Sequence, residues 1–151
     1  LRARGSHNTA YTGGYLYAIG GSNGNYMKEC ERFSVATNRW EAISPLPVAV
    51  ACHSLIVQES TQSLYVLGGQ TSANPYLWTG AVQELSLRTN IWKQLSFSLP
   101  SKSPNTYYIQ SFKSKENSED FFFVLDSKLY SWNPNSAPRL IKGLTTNICS
   151  C

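Results

Sequence analysis

The chain has 151 residues, of which 42% are hydrophobic and 13% aromatic, and its formal net charge is +4. This length and composition favour one domain of ordinary size with enough apolar side chains for a core. No uncharged apolar run reaches about 18 residues and no apolar segment typical of a signal peptide is visible, so we expect neither a membrane span nor a leader. The mild, dispersed positive charge argues against nucleic-acid binding.

The first predicted unit contains four strands, near residues 6–11, 15–20, 27–34 and 39–43. The preceding segment Arg4-Gly5-Ser6-His7 fits two interpretations, the remnant of a purification tag or native sequence. A histidine also precedes the second unit, at His53, and this favours native sequence. Ser44-Pro45-Leu46-Pro47 then predicts an extended crossing, because proline disfavours helix and cannot donate to a strand ladder.

The second and third predicted units follow the same plan. The second has strands at 51–59, 63–67, 81–87 and 91–97, with a loop over 70–80, and the third has strands at 106–112, 121–125, 129–132 and 139–141. The third unit is degenerate, since Asp126-Ser127 stands after its apolar strand and Trp132 comes early in the unit.

Two stretches occur in both of the first two units, about 50 residues apart. They are Leu16-Tyr17-Ala18-Ile19-Gly20-Gly21 with Leu64-Tyr65-Val66-Leu67-Gly68-Gly69, and the segments 30–40 and 82–92. A short apolar run stopped by Gly-Gly is typical of a buried strand, and glycine permits close backbone approach where that strand ends. The second stretch predicts a hairpin turn at each Thr-Asn pair, followed by Trp40 or Trp92 as a large side chain to bury between sheets.

With this period, its glycine pairs and its late tryptophans, the chain resembles the kelch repeat. The resemblance implies an all-β fold, a partial kelch β-propeller of about three four-stranded blades. It predicts a single partial kelch domain over residues 1–151, with blades at about 4–44, 48–97 and 104–142. Propellers close with about 4–8 blades, so the partner that completes the ring is either the remainder of a longer propeller or a second copy in a homodimer.

The titratable residues of the repeats are expected to be structural. His7 and His53 hold similar positions at the start of a predicted strand, which favours a role such as a hydrogen bond to a neighbouring blade. Glu31 and Glu84 lie in successive blades, one residue out of register, and are interpreted as solvated or hydrogen-bonded strand residues rather than an acid–base pair. We predict no catalytic residue.

The four cysteines predict no metal site. Cys30 and Cys52 fall in predicted strands and are expected to be small buried side chains. Cys149 and Cys151 lack a second pair or a nearby histidine, so they do not make a zinc site. We expect reduced thiols in a cytoplasmic protein, with no metal and no cofactor.

The loops between strands are the predicted recognition surface, because propeller strands are scaffold and connecting loops carry binding residues. The candidate partner-binding residues are Arg4, Asn23, Asn25, Tyr26, Tyr76 and Trp78. Arg4 resembles a substrate-facing arginine of related adaptors, although Val50 takes its place in the second unit.

The resemblance therefore implies a protein–protein interaction module that binds a protein partner or substrate peptide, and that serves as the substrate-recognition part of a cullin-type ubiquitin ligase. The alternative is an enzyme on a kelch propeller, an oxidase or sugar isomerase, which needs a ligand or acid–base cluster that the sequence does not show.

Overall fold

The computed structural model describes residues 2–100, 110–113, 120–125 and 128–143, which form three antiparallel sheets of four strands each. The described part of the chain contains no helix, and hence none long and apolar enough to cross a membrane. The predicted all-β architecture with three four-stranded sheets is confirmed.

Strand order in each sheet follows the order in the sequence. The first sheet consists of β1 (Asn8–Thr12), β2 (Tyr15–Ile19), β3 (Cys30–Ser34) and β4 (Arg39–Ile43). The second consists of β5 (Ser54–Gln58), β6 (Ser63–Ala73), β7 (Tyr76–Ser86) and β8 (Ile91–Ser98). The third consists of β9 (Gln110–Lys113), β10 (Phe121–Leu125), β11 (Lys128–Trp132) and β12 (Arg139–Gly143).

The connection between β6 and β7 differs from its prediction as a loop over residues 70–80. Both strands continue past the glycine pair, and their paired residues include Gln70 with Trp78 and Ala73 with Tyr76. We call residues 70–80 the β-arm. Its threonines and tryptophan are good strand formers, whereas the polar residues and Pro75 favoured the loop interpretation. The corresponding connection in the first sheet, between β2 and β3, remains a loop.

The glycine pairs let the chain pass close to the end of each inner strand. Gly20 and Gly21 have φ angles of 55° and 100°, a region that L side chains rarely adopt. A Cβ on Gly20 would lie 2.6 Å from the Val50 carbonyl oxygen. The Gly21 N–H donates to that oxygen at 2.8 Å. The pair therefore ties the start of the second sheet to the end of β2.

The hydrophobic core lies between the sheets, in two clusters. The cluster between the first and second sheets contains Tyr17, Ile19, Cys30, Ile43, Leu46, Val50, Leu64, Val66, Leu85 and Trp92. The cluster between the second and third contains Ile56, Tyr65, Leu67, Val82, Leu99, Phe121, Phe123, Leu125, Tyr130 and Trp132. Alternate residues of β6 thus contact opposite neighbours, as the strand period of two requires.

Trp92 joins the second sheet to the first. Its indole is 9% exposed, and its Nε1–H donates to the Ser44 carbonyl oxygen at the end of β4, at 2.8 Å. Trp40, its counterpart in the first sheet, is only half-buried and contacts Phe33 of its own sheet, with ring centroids 5.5 Å apart. Trp132 lies on β11 and packs edge-on against Tyr65 of the second sheet, at 5.1 Å.

An ion pair joins the third and fourth strands at equivalent positions of the first two sheets. The acidic and basic residues are exchanged between the two pairs. On β3 and β4, Arg32 Nε lies 2.5 Å from Glu41 Oε1. On β7 and β8, Lys93 Nζ lies 2.9 Å from Glu84 Oε2. Glu84 also accepts a hydrogen bond from the Ser63 hydroxyl at 2.8 Å, so this carboxylate is a hydrogen-bonded strand residue.

We predict that Trp92→Ala lowers the free energy of unfolding by about 3–5 kcal/mol, because it removes a buried indole and the bond to Ser44. The matched change Trp40→Ala should cost at most about 2 kcal/mol, because that ring is half-buried. Urea unfolding followed by circular dichroism measures both. Equal losses for the two variants would contradict the assigned role of Trp92.

Candidate functional site

The connections that follow β2, β4 and β6 emerge at one end of the first two sheets, which we call the loop end. It comprises residues 20–29, residues 44–53 and the β-arm. Antiparallel order brings them together, because β2, β4 and β6 all run toward this end. Five of the six predicted binding residues belong to these segments, and Arg4 precedes β1 at the same end.

The loop after β2 is short and held close to the sheet. Ser22 forms bridges with Gly5 and with Tyr26, and the Asn23 N–H donates to the Asn25 carbonyl oxygen at 3.2 Å. These bonds leave the side chains of Asn23 and Asn25 exposed and that of Tyr26 half-buried.

The β-arm presents two apolar side chains to solvent near its turn. Tyr76 is 65% exposed and Leu77 is 51% exposed, whereas Trp78 is half-buried. Exposed aromatic side chains on a hydrogen-bonded hairpin are suited to binding, since little conformational freedom remains to be lost.

Tyr26 and Tyr76 lie near each other although they come from different sheets. Burial raises the pKa of the Tyr26 phenol, and the nearby Cys52 thiol and Tyr76 phenol raise it further. Main-chain bonds place their segments side by side, since the Gly21 N–H donates to the Val50 carbonyl oxygen and Ala51 pairs with Gln70 at the base of the β-arm.

Cys52 was predicted as a buried strand residue, and this prediction is wrong. The residue lies before β5 with a φ of 53°, and its N–H donates to the Ser6 carbonyl oxygen at 2.8 Å. The side chain is a free thiol and partly exposed. Together with Leu77, it is a surface residue that the sequence interpretation missed. An isolated positive φ at a non-glycine residue leaves no pattern in the sequence.

The Arg4 side chain is buried at the edge of the first sheet and is not available at the surface. Its Nη2 lies 2.6 Å from Glu31 Oε2, and the two side chains are only 4% and 12% exposed. Its Nη1 donates to the carbonyl oxygens of Gly20 and Glu29, at 2.8 and 2.7 Å. In the second sheet the Gln83 amide performs the corresponding function, bonding to both main-chain groups of Val48.

The two histidines lie close together near the glycine pairs. His53 is buried, and neither ring nitrogen has a hydrogen-bond partner among the described residues. The expected bond between sheets is made instead by its main chain, whose carbonyl accepts from Asn8 Nδ2 at 3.1 Å. Burial, with a smaller contribution from His7, lowers the pKa of His53 to about 4, so the ring is neutral near pH 7.

The groups available for covalent or metal chemistry are few in the described part of the chain. Burial raises the pKa of the Cys30 thiol to about 12, which keeps it protonated and unreactive at neutral pH. Within the described ranges, no three His, Cys, Asp or Glu side chains come close enough to hold a metal ion. Cys149 and Cys151 lie outside these ranges.

A groove of about 390 Å³ opens between the first two sheets at the opposite end, lined by Thr12, Gly13, Tyr15, Tyr17, Arg32, Glu59, Gln62 and Leu87. The Arg32 guanidinium lies 4.2 Å from the centre of the Tyr15 ring and is paired with Glu41. Because its cation is already paired and stacked, this groove is a weaker candidate than the loop end.

The sequence is similar to kelch proteins. The Kelch motif model matches residues 3–47. Kelch-like protein 35 of Mus musculus is 32% identical over 141 residues, which cover 89% of this chain and 22% of the relative. Kelch repeat and BTB domain-containing protein 8 of Danio rerio is 39% identical over 75 residues, covering 46% of this chain and 12% of the relative. The chain thus spans about a fifth or less of these relatives.

The fold is also similar to a solved one. The structure of YjhT superposes with a TM-score of 0.75 and 14% identity, covering 95% of this chain and 53% of that protein. At this identity the match shows the fold alone, and it agrees with a partial β-propeller.

Loss of the buried ion pair should be costly. We predict that Glu31→Ala lowers the free energy of unfolding by about 3–5 kcal/mol, because it leaves the Arg4 guanidinium buried without its carboxylate. The control Arg2→Ala breaks the exposed Arg2–Glu29 pair and should cost at most about 1 kcal/mol. Chemical denaturation at pH 7 measures both, and a comparable loss in the control would refute the special role of the buried pair.

Stability should fall in mild acid because of His53. Its folded pKa of about 4 is below the usual 6.5, so the unfolded chain binds this proton first as the pH drops. The resulting loss between pH 7 and pH 4.5 is about 2–3 kcal/mol. Urea unfolding across this range should show it in the wild type and in His7→Asn, but not in His53→Leu. An unchanged pH profile for His53→Leu would contradict the assignment.

Proposed function

We propose that this chain, which carries kelch repeats in the fold of a partial β-propeller, is a protein-interaction module that binds a protein partner or substrate peptide at its loop end. The observation that carries the proposal is that the exposed side chains of Tyr76 and Leu77 on the β-arm and the half-buried Tyr26 of the first-sheet loop come from two sheets and meet at one end of the structure. Aromatic side chains of this kind are enriched at interface hot spots.

The predicted binding residues contribute unequally to this proposal. Tyr76 and Trp78 of the β-arm and Tyr26 of the loop supply apolar contact area, while Asn23 and Asn25 supply exposed amides for hydrogen bonds. Arg4 acts by holding the loop in place, since its guanidinium is bonded to Glu31 and to two main-chain carbonyls.

A finer proposal is substrate recognition for a cullin-type ubiquitin ligase. Its support is the similarity to proteins whose names join kelch repeats to a BTB domain. A cytoplasmic location is part of the same proposal, and the free thiols of Cys30 and Cys52 are consistent with a reducing compartment.

We further propose that residues 1–151 are one partial kelch domain within a longer propeller, with the blade limits given above. The outer face of the first sheet supports this. It carries the half-buried side chains of Leu16, Phe33 and Trp40, whose repeat counterparts Leu64, Leu85 and Trp92 form the core against a neighbouring sheet. A further blade would bury these side chains in the same way, and a second copy of the chain is the alternative occupant.

Partner binding tests the main proposal. Affinity purification with quantitative mass spectrometry should show proteins that are retained by the wild type and lost with Tyr76→Ala/Trp78→Ala. The control Arg88→Ala changes the opposite end of the second sheet and should retain them. A hot-spot loss of about 2 kcal/mol corresponds to roughly thirtyfold weaker binding.

Two results would contradict the proposal. Partner binding that ignores the β-arm changes would remove the recognition surface. Stoichiometric copper in the purified protein would favour the alternative, an oxidase built on the same fold.

A further inference from the structure

Each of the three segments that build the loop end includes a long stretch without charged residues or histidine. Residues 20–27, 45–52 and 68–83 include no Asp, Glu, Lys, Arg or His. The turns at the opposite end of the same sheets are charged, with Arg39, Glu59 and Arg88 at or beside them. Most of the loop end is therefore uncharged, whereas three turns at the opposite end carry or flank a charged residue.

The charged residues that approach the loop end are neutralised or peripheral. Arg4 is buried against Glu31 at 2.6 Å, and Arg2 pairs with Glu29 at the same distance. His53 is buried and neutral near pH 7, whereas His7 and Lys28 are exposed. Lys28 is thus the one exposed lysine or arginine without a described ion pair among these loop-end residues, and it flanks the surface rather than forming it.

The apolar part of this surface is exposed and supported by backbone bonds. Tyr76 and Leu77 project from the paired strands of the β-arm, and Tyr26 lies in the loop held by the Ser22 bridges. The amides of Asn23 and Asn25 are exposed beside them. Burial of the rings and hydrogen bonding to these amides are the interactions that this surface offers a partner.

From this charge distribution we infer that the loop end selects an uncharged peptide segment of its protein partner, rich in aliphatic, aromatic and amide side chains, and discriminates against acidic and basic segments. The inference rests on the proposed interaction function. An acidic segment finds no unpaired buried cation, since the Arg4 guanidinium is occupied. A charged side chain placed on Tyr76 or on Leu77 would lose hydration without gaining a counter-ion.

Two quantities follow from this chemistry. The affinity of the chain for such an uncharged peptide should change by less than about threefold between about 50 mM and about 500 mM NaCl. No interfacial ion pair is available for the salt to screen. Lys28→Ser should likewise change the affinity by less than about threefold, because rim charges contribute little to affinity.

A library of short random peptides displayed on phage tests the inference, with the folded chain immobilised at both salt concentrations. Enriched peptides should lack Asp, Glu, Lys and Arg at both concentrations. Their measured affinity should fall by roughly thirtyfold in Tyr76→Ser/Leu77→Ser. Both changes are at exposed positions, and circular dichroism with thermal unfolding verifies that the variants keep the wild-type fold.

The other outcomes separate this inference from the proposed function. Enriched acidic or basic peptides that still need Tyr76 and Leu77 would overturn the inference and leave the interaction function intact. Loss of binding in Lys28→Ser would do the same, since it shows recognition of an anion. Peptides that bind independently of Tyr76 and Leu77, or no enrichment at all, would overturn both.

Discussion

The packing of the second sheet against the first, fixed by the Trp92 indole, is the contact on which the rest of the structure depends. A sheet with apolar side chains on both faces cannot bury them alone. β6 shows this directly, since Leu64 and Val66 contact one neighbour and Tyr65 and Leu67 the other. Apolar packing alone does not fix the relative position of two sheets. The hydrogen bond from the Trp92 indole to the Ser44 carbonyl oxygen fixes where β8 lies against the end of β4.

The same packing places the interaction surface. The glycine pairs let the crossing segment run against the end of β2, where Gly21 bonds to Val50. That approach brings Cys52 beside the first-sheet loop and sets the β-arm next to it. The strands act as a rigid support, and the variation between repeats is concentrated at the loop end. There the second sheet has eleven-residue strands where the first has five-residue strands.

The repeated features of the chain were predictable and the features unique to one repeat were not. Gly-Gly, Thr-Asn and the late tryptophan recur in the first two units, so the first two sheets, their hairpin turns at Asn38 and Asn90, each with a φ of 55°, and the burial of Trp92 between the sheets follow from the sequence. The β-arm was missed because a turn-rich composition hid a strand extension. The position of Cys52 and the burial of Arg4 depend on long-range contacts, with Ser6 and Glu31, that no local pattern encodes.

The Arg32–Glu41 and Glu84–Lys93 pairs have their acidic and basic residues on exchanged strands. This exchange affects whether a strand of one repeat can pair with a strand of the other. If β3 paired with β8, Arg32 would lie opposite Lys93, and if β7 paired with β4, Glu84 would lie opposite Glu41. Like charges directly opposite each other destabilise a ladder. Misassembly between neighbouring units is a characteristic failure of repeat proteins. The reversed charges therefore disfavour the exchange of strands between these two sheets.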